Sequence, residues 1–356
     1  MTRSSRGLAL TKSHPAVFVL VLLLALVLAS VRVIWLFDRD IKAAVAKAAL
    51  GGVLINTLCG PIEYQEAGSG TPLLVVHGSG GGHDRGMALA VTLAMQGVRV
   101  IAMSRFGYLR TPLPPDASAS AQADAHACLL DALGIQKAAV AGYSAGGPSA
   151  LELAIRHPER VSALVLLMPV TYLPASSNPL VSPTSTPMST PTCTPIFSPA
   201  TSPLSLPRWI DNAKVRLADS DFLVWAVLGL FRRQVTPFIL ATPHQLLTTS
   251  SPREQARVSH MVDQLLPVSA RAAGVKNDNA AAQYLAALPL ATIQMPTLIV
   301  SARDDRYDTY AGSKYTASQI KGAKFVGFEH GGHVWVGHDD QVMAEVVKLI
   351  VPVGKP

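Results

Sequence analysis

Ser144 lies in Gly142-Tyr143-Ser144-Ala145-Gly146, between the apolar run 137–142 and a stretch of helical spacing, 145–156. A serine on a tight strand-to-helix turn is held in strained backbone angles, with small residues two positions either side to let the chain turn. Its hydroxyl is lifted above the sheet edge, next to a helix N-terminus that favours developing negative charge. That placement suits a nucleophile for acyl transfer. A second segment, His77-Gly78-Ser79-Gly80-Gly81-Gly82, directly follows the apolar run 72–77. Glycines there let backbone amides approach a substrate oxygen, and an acyl-transfer oxyanion needs two such donors. One is expected from Ser79 or Gly80, the other from Ala145. No Lys-Ser/Thr pair follows the glycines, which argues against a nucleotide phosphate loop.

The general base must reach the serine from the same sheet edge. Residues 328–340, FEHGGHVWVGHDD, offer His330, His333 and His338. His333 follows two glycines that permit close approach, whereas His338 falls in a helical stretch and reads as structural. Residues 301–310, SARDDRYDTY, bring Asp304, Asp305 and Asp308. Such a run is ordinarily a solvated loop, yet one member could be the carboxylate that orients the histidine. Spacing alone leaves all three open.

These groups need a scaffold that delivers them to one edge. Apolar runs at 72–77, 98–103, 137–142, 161–167, 296–301 and 324–328 read as strands. Helical spacing recurs at 84–96, 117–133, 145–156, 312–320 and 335–350. Strand and helix in alternation imply an α/β fold, a mostly parallel sheet covered on both faces. The alternation breaks between 171 and 290. Proline recurs every fourth residue from Pro179 to Pro207, which excludes helix and central strand. We read 171–207 as a low-complexity linker and 208–290 as a helical cap between two halves of the core, 51–170 and 291–356.

The N-terminus carries its own signal. After a basic tail, 1–15, residues 16–37 are almost continuously apolar, long enough to cross a hydrocarbon core as a helix of about 1.5 Å rise per residue. Arg32 near one end can snorkel and Trp35 suits the interface. A transmembrane anchor is expected, with 38–50 a short helical stalk closed by glycines. A cleaved signal peptide is the competing reading, and either exports the domain that follows. Of the net charge of +7, residues 1–50 carry seven Lys/Arg against two Asp/Glu. Little is left for the rest, so no nucleic-acid footprint is present. Cys59, Cys128 and Cys193 are odd in number and lack a CxxC pair. They read as unrelated thiols, one disulfide being the alternative, and not as a zinc site or disulfide framework.

Taken with their chain order, the Ser144 elbow, the His77 glycine loop and the His333 loop resemble the α/β-hydrolase superfamily over residues 60–350. SRFGYLRTP, 104–112, is similar to that family's arginine-glycine loop, with Ser104 where aspartate is common. VIAMSRFGYLRTPLP, PVSARA (267–272) and GGHVWVGH are similar to bacterial hydrolases that carry an N-terminal membrane helix. The resemblance implies that Ser144 is the nucleophile, His333 the base and an aspartate the acid. The family places the acid four residues after its strand, which selects Asp305, with Asp304 next in line and Asp308 a surface or turn carboxylate. It implies no metal or organic cofactor, and a small-molecule ester as substrate, lipophilic given the anchor and the apolar stretch 221–240. HGSGGG also resembles the loop of carbon–carbon bond hydrolases, so that reaction, or perhydrolysis, is the alternative. A non-catalytic binding module is disfavoured because no triad member is missing.

Overall fold

A computed structural model describes residues 15–174 and 219–351. The chain divides into two units, residues 1–43 and 44–356. The first holds most of a single helix, α1 (Pro15–Ala49), in which the apolar span and the stalk are continuous. Its apolar side chains from Val17 to Trp35 are exposed, and its length, with a mean hydropathy of 3.0 over an apolar stretch of 18 residues, is sufficient to cross a membrane.

The second unit is built on an eight-stranded sheet: β1 (Val53–Thr57), β2 (Gly60–Ala67), β3 (Thr71–Val76), β4 (Val98–Met103), β5 (Ala138–Tyr143), β6 (Val161–Leu167), β7 (Thr297–Ala302) and β8 (Lys324–Phe328). The strand order is β1-β2-β4-β3-β5-β6-β7-β8. From β4 to β8 every pairing is parallel, while β1 and β2 form an antiparallel hairpin joined antiparallel to β4. All six strands expected from the sequence are present, within a residue or so at each end. The hairpin is an addition to that expectation. Its strands are only half buried, with burial alternating irregularly along VLINT and GPIEYQEA, so neither a continuous apolar run nor a clean period of two marks them.

Side chains of the central strands alternate between two apolar layers, as strand geometry requires. Leu74, Val76, Ile101, Met103, Val140, Leu164 and Leu166 face one way. They meet α3 (Ala119–Ala132) and α4 (Gly147–Arg156) through Leu129, Leu130, Leu151 and Leu153. Leu73, Val75, Val100, Ala139, Val165, Leu298 and Val300 face the other way, onto α2 (His83–Ala90) and α10 (Asp339–Ile350). Both faces are therefore dry, which is why these strands read as unbroken apolar runs.

The described part of the cap comprises α5 (Asp221–Ile239), α6 (His244–Thr249), α7 (Pro252–Asp263) and α8 (Ala272–Ala282). Helix α9 (Thr309–Gln319) follows β7. The repeat 171–207, except for its first four residues, and the start of the cap lie outside the described residues. Helix α7 opens on Ser251-Pro252-Arg253-Glu254, where Ser251 Oγ accepts from the Glu254 amide at 3.3 Å, a serine cap with proline at the first turn.

The cysteines correct one expectation. Cys59 and Cys128 are joined in a disulfide, with Cα atoms 6.0 Å apart. They are 69 residues apart in sequence, so nothing local announces the pair. The β1–β2 turn folding back over α3 creates it.

Candidate active site

Parallel strands bring their C-terminal ends to one edge, and the three loops singled out from the sequence leave from that edge. β5 ends at Tyr143, and Ser144–Gly146 makes a 3-10 turn into α4. Ser144 has φ 51°, a left-handed conformation that costs a non-glycine residue of order 1–3 kcal/mol and persists only where its surroundings enforce it. Gly146 shows part of that enforcement. A Cβ on Gly146 would lie 2.4 Å from the Val76 carbonyl oxygen, so only glycine lets the turn close against β3.

The Ser144 hydroxyl is 2.9 Å from His333 Nε2, and His333 Nδ1 is 2.8 Å from Asp305 Oδ2. Ser144, His333 and Asp305 are 6%, 4% and 5% exposed, so little water competes for these bonds. Asp305 is further fixed by the Tyr307 amide at 2.9 Å and by the Thr309 hydroxyl. Burial alone would raise its pKa, but the charge and hydrogen bond of His333, with those from Thr309 and Tyr307, outweigh it and hold the carboxyl below its usual value. It is thus a carboxylate at neutral pH. The His333 amide donates to Thr242 Oγ1 at 3.1 Å, and Gly332, at φ 60°, abuts that side chain. Tyr307 stands edge-on to the imidazole, ring centroids 4.8 Å apart.

Asp304 and Asp305 divide the work of their loop. Asp304 Oδ1 and Oδ2 accept from the Gly332 and Gly331 amides at 2.8 and 3.3 Å. It holds the backbone of the histidine loop and makes no hydrogen bond to His333. Asp308 is exposed at φ 54° and precedes α9. His330 is exposed. His338 caps α10, stacking on Phe328 with centroids 3.9 Å apart.

The glycine loop is tied down carbonyl by carbonyl. Buried His77 takes an amide hydrogen from Arg105 on Nε2 at 3.0 Å and contacts the Gly78 carbonyl through Nδ1 at 2.7 Å. Burial, then the Arg105 charge, pushes its pKa well below the usual imidazole value, so it is a neutral strut. Arg85 Nη1 donates to the Gly80 carbonyl at 3.0 Å and Arg271 Nη1 to that of Gly81 at 2.5 Å. The Gly80 amide donates to Tyr108 Oη at 3.3 Å. Of the two alternative donors on this loop, Gly80 thus has its amide on Tyr108, while the Ser79 amide makes no backbone–backbone hydrogen bond among the described residues. Ala145 opens the turn after Ser144, where amides lack helical partners.

Several pairings with a large part in this geometry carry no signal in the sequence. Arg271, from the cap, pairs with both oxygens of Asp84 at 3.1 and 2.7 Å, and Asp278 of α8 accepts from Arg105 Nη2 at 2.5 Å and from the Tyr108 hydroxyl. These buried pairs, with the bond from Arg271 to the Gly81 carbonyl, pin the cap to the glycine loop, the start of α2 and the 104–112 loop. PVSARA and SRFGYLR stand out as motifs, but pairing across 187 and 173 residues leaves no local trace.

A further buried carboxylate braces β2 against the same loop. Glu63 is 1% exposed and accepts from Arg110 Nε at 2.6 Å, the Arg110 amide at 3.0 Å and Ser104 Oγ at 3.2 Å, with His83 Nε2 at 3.3 Å. Burial opposes its charge, yet the bonds from His83 and Arg110 lower its pKa to about 2. A depressed carboxyl stabilises the fold fully above its unfolded pKa, and that contribution is lost as pH falls through the folded value. Glu63→Gln should therefore lower stability by about 2–3 kcal/mol at pH 7, with the gap to wild type closing between pH 4.5 and about 2. Urea unfolding of both proteins at pH 7 and pH 3 checks this.

A cavity of about 180 Å³ opens beside the glycine loop. Gly78, Ser79 and Tyr143 form its inner wall. Ser144 is not in the wall itself but lies directly behind Gly78, where an added Cβ would stand 2.9 Å from Ser144 Cβ.

A family profile described as "alpha/beta hydrolase fold" matches residues 71–336. Over 108 residues, 30% of this chain, the sequence is 44% identical to a 2-hydroxymuconate semialdehyde hydrolase of Pseudomonas putida, of which it covers 38%. Over 113 residues it is 34% identical to a 2-hydroxy-6-oxo-6-phenylhexa-2,4-dienoate hydrolase of Comamonas testosteroni, covering 40% of it. The chain thus spans about two fifths of the length of the curated relatives it matches. Among solved structures, an alpha/beta hydrolase fold protein from Nakamurella multipartita superposes with TM-score 0.62 at 27% identity, covering 84% of this chain and 98% of that one.

Proposed function

Because the chain belongs to the α/β-hydrolase family, we propose that it is a serine hydrolase that cleaves carboxylic esters in two steps through an acyl-enzyme. The observation that carries this reading is the relay from Ser144 through His333 to Asp305, with bonds of 2.9 and 2.8 Å and the serine at φ 51°. In the first step Ser144 Oγ attacks the ester carbonyl while His333 Nε2 takes its proton. Asp305 accepts from Nδ1–H, fixes that tautomer and stabilises the imidazolium without becoming protonated itself. The oxygen that gains charge is met by the Ser79 and Ala145 amides. His333 then gives the proton to the departing alkoxide. In the second step water, activated by His333, adds to the acyl carbon and Ser144 leaves as a hydroxyl.

The substrate we favour is an ester with an apolar portion of modest size. The cavity is close to the volume that admits a benzene-sized group, with Ala88, Leu89 and Met261 on its wall. Membrane attachment through α1 and export of the catalytic unit, in a bacterial inner membrane, complete the proposal. The Cys59–Cys128 disulfide supports export, since such bonds persist in oxidising compartments. Exposed Leu230 and Phe238 on α5 suit contact with lipid.

A second reading, hydrolysis of a carbon–carbon bond next to a ketone, draws support from the two relatives named for hydrolysing hydroxymuconate semialdehyde and a phenylhexadienoate. The same serine relay would serve it. One purified preparation assayed against a p-nitrophenyl ester acyl-length series and against a 2-hydroxy-6-oxodienoate separates the two. The ester reading expects kcat/KM for the best ester to exceed that for the dienoate. The reverse order assigns the enzyme to carbon–carbon hydrolysis.

A further inference from the structure

The charges around the cavity are compensated at all but one place. Arg253 pairs with Asp340 at 2.9 Å, and Arg257 pairs with Glu254 at 2.9 Å and approaches Asp339 at 3.7 Å. Asp339 also accepts from Trp335 Nε1 at 3.0 Å. Arg85, on α2, enters the same cavity and forms no ion pair among the described residues. Its chain neighbour Asp84 has both oxygens committed to Arg271. The Gly80 carbonyl satisfies one of Arg85's five N–H donors. Burial and the nearby Arg271 press against its charge and outweigh the attraction of Asp84, and a half-buried cation without an ion-pair partner of its own is costly unless something supplies one.

We propose that Arg85 binds an anionic group carried by the substrate itself, a carboxylate or a phosphate-type oxyanion a few bonds from the scissile carbonyl. The geometry follows from the wall. Arg85 shares one cavity of about 180 Å³ with Gly78, Ser79 and Tyr143; Tyr143 precedes Ser144 in the chain and Gly78 packs against the Ser144 Cβ. In the proposed pose an anion sits on the guanidinium and a carbonyl on the same molecule extends past Gly78 and Tyr143 toward the serine. Ala88, Leu89 and Met261 line the cavity with apolar surface, so a short hydrocarbon segment between anion and carbonyl is accommodated. The inference rests on the serine-hydrolase reading and narrows its substrate class.

The test compares matched esters that differ only in charge: mono-p-nitrophenyl adipate against its methyl ester, and p-nitrophenyl 4-phosphonobutanoate against its dimethyl ester. Wild type is expected to prefer the charged member in at least one pair. In Arg85→Gln the ratio of kcat/KM, charged over neutral, should fall about 10- to 100-fold, the worth of a hydrogen bond to an ionised partner. Arg85→Lys should recover part of it. The pair with the larger Arg85-dependent ratio identifies the carboxylate or the phosphonate as the fitting anion. Loss of charged and neutral turnover in equal proportion would mean that Arg85 only holds the Gly80 carbonyl, and overturns the proposal. So would a wild type without preference for either charged ester, a readout that needs no variant. Labelling of Ser144 by a neutral fluorophosphonate in the same samples keeps the two ideas apart. Labelled Ser144 with an unchanged ratio refutes the anion subsite alone.

Discussion

Ser144→Ala should lower kcat by about four to six orders of magnitude while leaving the protein folded. The size follows from what the hydroxyl does in the proposed cycle. It is the atom that bonds to the acyl carbon, and without it no acyl-enzyme forms. What remains is catalysis by the amides and the binding cavity alone, on a water molecule that nothing positions. The fold should tolerate the change because alanine removes one oxygen and keeps the Cβ that Gly78 packs against. Alanine retains the strained φ of 51°, so little stability should be regained. Steady-state hydrolysis of a p-nitrophenyl ester, with circular dichroism as a control for folding, measures both. A drop of less than about tenfold would mean that Ser144 is not the nucleophile.

Asp305→Asn is expected to cost about 10⁴ in kcat. An asparagine presents either an N–H or a C=O to His333 Nδ1, and it can no longer offset the imidazolium that forms when Ser144 loses its proton. Thr309 and Tyr307 would still hold the side chain, so the geometry should survive while the electrostatics do not. The neighbouring substitution, Asp304→Asn, gives the contrast. Its one remaining oxygen can still accept from the Gly332 amide, so only the longer bond from Gly331 is given up, and the loss should stay within about tenfold. Asp305 is held below the ordinary carboxyl range by its partners. It therefore stays ionised as pH falls toward 4, and the acid limb of the wild-type pH–rate profile should not arise from this carboxyl. Kinetics of the two variants under identical conditions decide the register. If Asp304→Asn proves the more damaging, the acid has been misassigned by one residue.

Much of the scaffold is legible because buried parallel strands and amphipathic helices write themselves as local patterns. The apolar runs at 72–77 and 161–167 need no distant information, and the sheet fills from both sides as those runs require. The β1–β2 hairpin is not legible because its half-exposed strands mix polar and apolar residues without period, and Glu63 sits in the middle of one. At the site, Ser144 and His333 are marked by glycines that permit close approach. The choice among the aspartates comes from a family pattern. Nothing in the spacing of Asp304, Asp305 and Asp308 says which one turns toward His333. Groups that act across the chain are silent. Thr242 under the His333 amide, Arg271 against Asp84 and the Cys59–Cys128 bond each depend on a partner that only the folded topology brings near. Gly80 shows the same limit in reverse. By sequence it is as able as Ser79 to donate to an oxyanion, but the fold turns its amide to Tyr108.

Whether Ser144 is the covalent nucleophile can be read from active-site labelling. Wild type and Ser144→Ala, treated with a fluorophosphonate and digested, would be mapped by mass spectrometry. Wild type should carry one stoichiometric phosphonyl adduct on the peptide containing Ser144, and the variant none. An adduct of equal yield in Ser144→Ala, or one mapped to another serine in wild type, would contradict that role.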